Sequence, residues 1–128
     1  MIEFYLLFGC FIGLLIIIDG VVLKNENGQL GANKIQSVTS LIEFLWAVFS
    51  IYLLVKIQLS GITLLVPVLY ITHNVLGWLY GFYILSKVEG ELENISQIIV
   101  PNWYIQFGIV FGVVYSCASL LCYIQINS

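Results

Sequence analysis

The sequence contains little charge and no arginine at all. Only 9% of its 128 residues are charged, four Lys and seven Asp or Glu, whereas a soluble domain keeps about a quarter of its residues charged. With 61% of the residues apolar, the chain has too few polar groups to cover a surface that faces water. These shortages exclude a soluble globular domain and predict an integral membrane protein.

Other absences exclude whole classes of function. The four Lys residues are scattered and form no basic patch, which excludes nucleic acid as a partner. A single His with no C-x-x-C pair provides neither a zinc site nor two axial haem ligands, so we expect no metal and no cofactor. The chain has no glycine-rich phosphate loop, no G-x-S-x-G elbow and no H-E-x-x-H motif. We therefore name no catalytic residue, and enzyme activity is not the first expectation.

Four long apolar stretches dominate what is present. A helix needs about 20 residues to cross a hydrocarbon core of about 30 Å. These stretches are too long and too uniformly apolar for barrel strands, and a helix satisfies every backbone group within the lipid. Short links favour antiparallel neighbours. The expected fold class is all-α, a single polytopic domain over residues 1–128 with an up-down bundle of four transmembrane helices, at about 3–23, 35–57, 62–86 and 101–126.

The lysine residues in the links set the expected orientation. The first link holds Lys24 and Lys34 and the third holds Lys87, whereas the second holds only Lys56. Because cytoplasmic links carry the excess of Lys, the first and third links are expected in the cytoplasm and both termini on the periplasmic side of a bacterial inner membrane. The first stretch begins with Glu3 and no basic cluster, and no cleavage site follows it, so we expect it to be retained.

Aromatic residues close to the ends of the predicted spans are expected at the membrane interfaces. Tyr5 lies near the start of the first span, Tyr80 near the end of the third and Tyr104 near the start of the fourth. Tyr and Trp are enriched where the apolar part of a ring meets lipid and its polar group meets water. This interpretation places Tyr80 and Tyr104 at the cytoplasmic interface and Tyr5 at the outer one.

Small residues four positions apart predict where helices pack closely. The hydrophobic effect does not hold helices together in lipid, so close backbone approach at small residues becomes informative. One interpretation is packing within a single bundle, and the other is that at least one stripe meets another subunit. A bundle of this size has little interior of its own, which favours a homo-oligomer or a membrane-protein partner within the lipid bilayer. The candidate packing positions are Gly9, Gly13, Gly77, Gly81, Gly108 and Gly112.

Ionisable side chains within the spans are the candidate functional residues. Such a group costs a few kcal/mol in a bilayer and by default marks a site, a pathway or a pairing. Asp19, Glu43 and His73 qualify, although Asp19 also fits an interfacial carboxylate, and the other two also fit packed, hydrogen-bonded side chains. Further polar groups lie in the same half of the predicted bundle. The candidate ligand or ion site comprises Asp19, Glu43, His73, Asn74, Tyr80 and Gln106.

The surroundings of Glu43 and His73 give the chain a family resemblance. The first segment has Gln36, Ser40 and Glu43, with the spacing of an Arg-x-x-x-Asn-x-x-Glu pattern. The second has Tyr70, His73, Asn74 and Gly77, with the spacing of Arg-x-x-His-Ser-x-x-His. In these positions the chain resembles the membrane-associated eicosanoid and glutathione metabolism (MAPEG) family, although both Arg positions hold other residues. The resemblance implies four helices, trimeric assembly, a cytoplasm-facing site and glutathione or lipid chemistry.

Three functional hypotheses follow from the sequence. The first is an accessory or immunity-type subunit that binds a membrane partner or a lipophilic ligand through the glycine stripes and the polar residues. The second is an oligomeric ion or small-solute pathway that uses Glu43. The third is a MAPEG-like glutathione or lipid enzyme. The acidic run Glu89, Glu91 and Glu93 in the third link is expected to be a solvated loop, with docking to a basic partner as the alternative.

Overall fold

Four helices make up the fold of this protein. The structure is a computed structural model that describes residues 2–29, 34–59, 61–87 and 99–128. The helices are α1 (Ile2–Asn25), α2 (Lys34–Lys56), α3 (Ile62–Lys87) and α4 (Asn102–Ile126). The all-α class is confirmed, and each helix is long and apolar enough to cross a membrane. Every observed helix end lies within two residues of the predicted one, and the acidic run at 89–93 lies outside the described residues.

The end of α1 is fixed by a glycine in a left-handed conformation. Gly28 has a φ of 84°, and its amide donates to the carbonyl oxygen of Leu23 at 2.8 Å, which closes the last turn of the helix. The carbonyl oxygen of Gly28 accepts a hydrogen bond from the amide of Val100 at 2.8 Å. Gln29 pairs with Ile99 in an antiparallel bridge. The first link is thereby held against the residues that lead into α4.

The helices are arranged as a ring in chain order. Helix α1 packs against α2 and α4, and α3 packs against the same two neighbours. Consecutive helices run antiparallel, since Tyr5 near the start of α1 bonds to Ser50 near the end of α2, and Cys122 near the end of α4 reaches the carbonyl oxygen of Ile62 at the start of α3. We call the end where α1 and α3 finish the linker end, and the opposite end the terminus end.

The most extensive contact in the bundle joins α1 to α4. A Cβ atom built on Gly13 would lie 2.7 Å from the carbonyl oxygen of Gly112, and one built on Gly112 would lie 2.8 Å from the carbonyl oxygen of Gly13. Gly9 lies against Ser119 in the same way, with 2.7 Å from its built Cβ to the hydroxyl oxygen. Glycine is required here because any larger residue would hold the two backbones apart.

The remaining candidate packing glycines make no such contact. A Cβ atom built on Gly77 would lie 3.0 Å from the hydroxyl oxygen of Tyr104, and one built on Gly81 or Gly108 would meet no described atom within 4 Å. Within the described residues, Gly81 and Gly108 are therefore not points of close helix packing. The interpretation in which such a stripe meets another subunit stays a prediction for these positions.

A closed cycle of hydrogen bonds fills the terminus half of the bundle. The indole N–H of Trp46 donates to the hydroxyl of Tyr115 at 3.0 Å, which donates to the hydroxyl of Tyr5 at 3.3 Å. Tyr5 donates to Ser50 at 2.6 Å, and Ser50 donates to the carbonyl oxygen of Trp46 at 2.8 Å. Each of these four donors has an acceptor, as buried polar groups require. We call these four residues the buried cycle.

The buried cycle corrects the expectation that Tyr5 lies at a membrane interface. The side chain of Tyr5 is fully buried, and its ring stacks on the indole of Trp46 with a centroid distance of 4.7 Å and an interplanar angle of 4°. Position along a span does not show which way a ring points. In this case hydrogen bonds to Ser50 and Tyr115 and stacking on Trp46 hold the ring inside the bundle.

Candidate functional site: a polar cleft at the linker end

Between the buried cycle and the linker end, the bundle opens into a cleft of about 380 Å³. Its walls come from α1, α2, α3 and the start of α4. This volume falls within the range of about 300–1,000 Å³ that is typical of small-molecule sites. We call it the polar cleft, after the polar residues that line it: Asp19, Ser40, Glu43, His73, Asn74 and Tyr80.

Five of the six residues predicted to form a site lie around this one cleft. They are Asp19, Glu43, His73, Asn74 and Tyr80. The sixth, Gln106, is not among the residues that line it. Tyr104 lines the cleft instead, and because successive helical residues are about 100° apart around the axis, a residue two positions later points to nearly the opposite side.

The carboxyl group of Asp19 faces helix α2. The hydroxyl oxygen of Thr39 lies 3.0 Å from an oxygen of Asp19, and it also lies 3.0 Å and 3.1 Å from the carbonyl oxygens of Ile35 and Gln36. A hydroxyl carries one proton, so Thr39 donates either to Asp19 or to its own helix at any moment. Asp19 is therefore directed into the bundle and linked to the second helix of the cleft.

Glu43 lies on the face of α2 that looks into the bundle. One and two turns further along the same face, Ala47 and Ser50 are buried. The hydroxyl of Tyr70 on α3 donates to the backbone carbonyl of Glu43 at 2.8 Å, so this bond holds α3 against α2 and leaves the carboxyl group to the cleft. The side chains of Glu43 and Asp19 both line the cleft, and no Lys lines the described walls.

His73 and Asn74 form the floor of the cleft on helix α3. The His73 ring stacks on Phe111 of α4 with a centroid distance of 3.9 Å and an interplanar angle of 7°. Its Nδ1 atom is buried and has no hydrogen-bond partner among the described residues. The amide nitrogen of Asn74 donates to the carbonyl oxygen of Tyr70 at 2.9 Å. This use of the nitrogen leaves the side-chain oxygen of Asn74 as an acceptor.

Aromatic rings form the remaining walls, and of these only Tyr80 was predicted from the sequence. Phe44 and Trp78 line the cleft with a centroid distance of 6.4 Å, and they are 50% and 45% exposed on the outer surface between α2 and α3. Tyr80 stacks on Tyr104 at 4.6 Å, so these two rings face each other between α3 and α4. Helical spacing could have found Trp78, which follows Asn74 by four positions.

Comparison of the chain with protein-family models, with curated proteins and with solved structures yields no match. The resemblance to the MAPEG family therefore remains an expectation from the residues around Glu43 and His73. What supports a function is the geometry of the polar cleft, because a concave site with a few convergent polar groups is the general form of a ligand site.

Proposed function

We propose that this chain is a small integral membrane protein that binds the polar head of a lipophilic ligand in the polar cleft. The observation that carries the proposal is the convergence of Asp19, Glu43, His73, Asn74 and Tyr80 on one opening at the linker end. An ionisable side chain within a span costs free energy, and such side chains occur mainly where they bind a ligand, line an ion pathway or pair with another polar group. Binding of one ligand head group would account for all five side chains.

The outer border of the cleft supports a ligand with an apolar tail. Phe44 and Trp78 line the cleft on one side and the outer surface of the bundle on the other. A head group bound between Asp19 and Glu43 therefore leaves its tail a route between two aromatic rings toward the surrounding lipid. Sites of this kind combine apolar walls with a few polar groups that fix the orientation of the ligand.

The buried cycle favours binding over an ion pathway through the bundle. Below the cleft, the side chains of Tyr5, Ser50 and Tyr115 are fully buried and hydrogen-bonded to one another. A continuous route for ions needs water or coordinating groups along its whole length. A pathway that uses Glu43 would consequently have to run between subunits. The other alternative, a MAPEG-like glutathione or lipid enzyme, would need a reactive group beyond Glu43 and His73.

The membrane setting is part of the proposal. The four apolar helices are proposed to cross a bacterial inner membrane with the linker end in the cytoplasm, since Lys24, Lys34 and Lys87 lie there against Lys56 at the terminus end. In this orientation the polar cleft opens in the cytoplasmic half of the bilayer. The open space at Gly108 is compatible with a homo-oligomer or a membrane-protein partner.

A photoactivatable fatty alcohol tests whether the cleft takes a lipophilic molecule. The protein in lipid nanodiscs is irradiated with hexadecanol that carries a diazirine near the hydroxyl end, and the labelled residues are mapped on chymotryptic peptides. We expect labels on the cleft residues of α2 and α3. Leucine at position 81 would fill open space in the cleft wall, so Gly81→Leu should remove these labels.

The matched control is Gly108→Leu. Gly108 also has no described atom within 4 Å of a built Cβ, but it does not line the polar cleft. This variant should label as the wild type does. Equal labelling of the cleft residues in the wild type and in Gly81→Leu would contradict the proposal, because it would show that the probe reacts from the bilayer without occupying the cleft.

A further inference from the structure

We infer that the ligand head group is a primary ammonium, so that the polar cleft selects long-chain amines over alcohols and acids of the same length. This inference rests on the proposed function and names the chemical class of the ligand. It follows from three features of the cleft: its two carboxyl groups, its hydrogen-bond acceptors, and the aromatic rings beside it.

The cleft contains two acidic side chains. Asp19 and Glu43 contribute two carboxyl groups to the lining, and no Lys lies among the described lining residues. Two like charges in a partly buried site repel each other, and a cation placed between them relieves that repulsion. An anionic head group would be repelled by either carboxyl group in its ionised form.

The cleft also contains several hydrogen-bond acceptors. The amide nitrogen of Asn74 is already used by the carbonyl oxygen of Tyr70, and the single hydroxyl proton of Thr39 is shared between Asp19 and its own helix. The acceptors that line the cleft are the carboxyl oxygens of Asp19 and Glu43 and the side-chain oxygen of Asn74, beside the hydroxyl groups of Ser40, Tyr80 and Tyr104. A primary ammonium has three N–H donors and no acceptor, which complements this set.

The aromatic rings are suited to a cation that carries an alkyl chain. Trp78 and Tyr80 line the cleft together with the two acidic residues. Ring faces attract a nearby ammonium through their quadrupole, and Trp is the strongest of the aromatic side chains in this respect. The same rings provide an apolar surface for the methylene groups next to the nitrogen.

Competition against the photoactivatable hexadecanol tests the inference. Wild-type protein in nanodiscs is labelled in the presence of unlabelled hexadecylamine, hexadecanol, palmitate or hexadecyltrimethylammonium, each expressed as a mole fraction of the lipid. A charged hydrogen bond corresponds to about a tenfold to a hundredfold gain. We expect hexadecylamine to suppress cleft labelling at a mole fraction at least about tenfold below that of hexadecanol, with palmitate the weakest.

Variants that replace the acidic residues distinguish amine binding in the cleft from general partitioning of amines into the membrane. In Glu43→Gln, and separately in Asp19→Asn, the ratio between the hexadecanol and hexadecylamine mole fractions should fall toward one. Glu3→Gln removes a carboxylate from the exposed start of α1, outside the cleft, and should keep the wild-type ratio. A ratio that survives both cleft variants would overturn the inference, because the amine preference would then belong to the bilayer.

The remaining outcomes are also decisive. Equal competition by hexadecylamine and hexadecanol, or a quaternary ammonium as effective as the primary amine, would overturn the assignment of a hydrogen-bonded ammonium. In both cases, cleft labelling by hexadecanol in the wild type would still support the proposed function. Absence of cleft labelling by hexadecanol would instead remove the proposed function itself, so the two failures are distinguishable.

Discussion

Replacing Gly13 with Ala should weaken the bundle at its most extensive helix contact. The added Cβ would lie 2.7 Å from the carbonyl oxygen of Gly112, and it would collide with the side chain of Ser116. The hydroxyl of Ser116 rotates readily, although it would lose its hydrogen bond of 2.9 Å to the carbonyl oxygen of Cys10. The carbonyl of Gly112 belongs to the backbone of α4, so the helix itself has to move.

The size of the effect follows from that movement. To bring the contact from 2.7 Å to an ordinary 3.4 Å, α1 and α4 must separate by about 0.7 Å. A gap of about 0.5–1 Å forfeits roughly a quarter to a half of the dispersion energy of each atom pair along the contact. Overpacking in a well-packed interior costs about 1–3 kcal/mol, and we expect Gly13→Ala to lower the free energy of unfolding by about 2 kcal/mol.

Unfolding by sodium dodecyl sulfate in mixed micelles, followed by far-ultraviolet circular dichroism, measures this loss. Gly108→Ala is the control, because its Cβ would meet no described atom within 4 Å. Its free energy of unfolding should stay within about 0.5 kcal/mol of the wild-type value. If Gly13→Ala were as stable as Gly108→Ala, the close approach of α1 and α4 would be refuted.

Two further predictions concern the buried cycle and the end of α1. Tyr115→Phe removes the acceptor of the Trp46 N–H and the donor to Tyr5. It should therefore lower the free energy of unfolding by about 1–3 kcal/mol in the same titration. The control variant Tyr52→Phe, on the exposed surface, should leave the free energy of unfolding unchanged. Gly28→Ala places a Cβ 2.5 Å from the carbonyl oxygen of Val100 and should speed hydrogen exchange at the Val100 amide. The control is Gly61→Ala, because Gly61 also has a positive φ but no atom within 4 Å of a built Cβ, and it should leave this exchange rate unchanged. Equal exchange in both variants would contradict the contact between Gly28 and Val100.

The number and extent of the helices were predictable from the sequence because each depends on a local property. A run of about 20 apolar residues is forced into a helix by the need to satisfy its own backbone in lipid. The direction of individual side chains was less accessible. Tyr5 was expected at an interface and is fully buried, because its hydrogen bonds go to Ser50 and Tyr115 on two other helices, and long-range pairing leaves no signal in the local pattern.

The candidate site was likewise predictable only in part. Asp19, Glu43 and His73 stood out because ionisable groups are rare within apolar spans, and they do line one cleft. Gln106 shares their polar character but does not line the cleft, since the close packing of Gly112 on Gly13 sets the rotation of α4 about its axis. The aromatic walls were overlooked because Phe44 and Trp78 are ordinary residues in a sequence with 15% aromatic content.

Native mass spectrometry of the protein released from its own membranes tests the central claim most directly. The account predicts that the wild type and Gly108→Leu each retain a small amphiphile whose mass identifies its head group, and that Gly81→Leu loses it because leucine fills open space in the cleft wall. Retention of the same molecule by Gly81→Leu, or a wild-type protein that retains no small molecule, would contradict the assignment of the polar cleft as a ligand site.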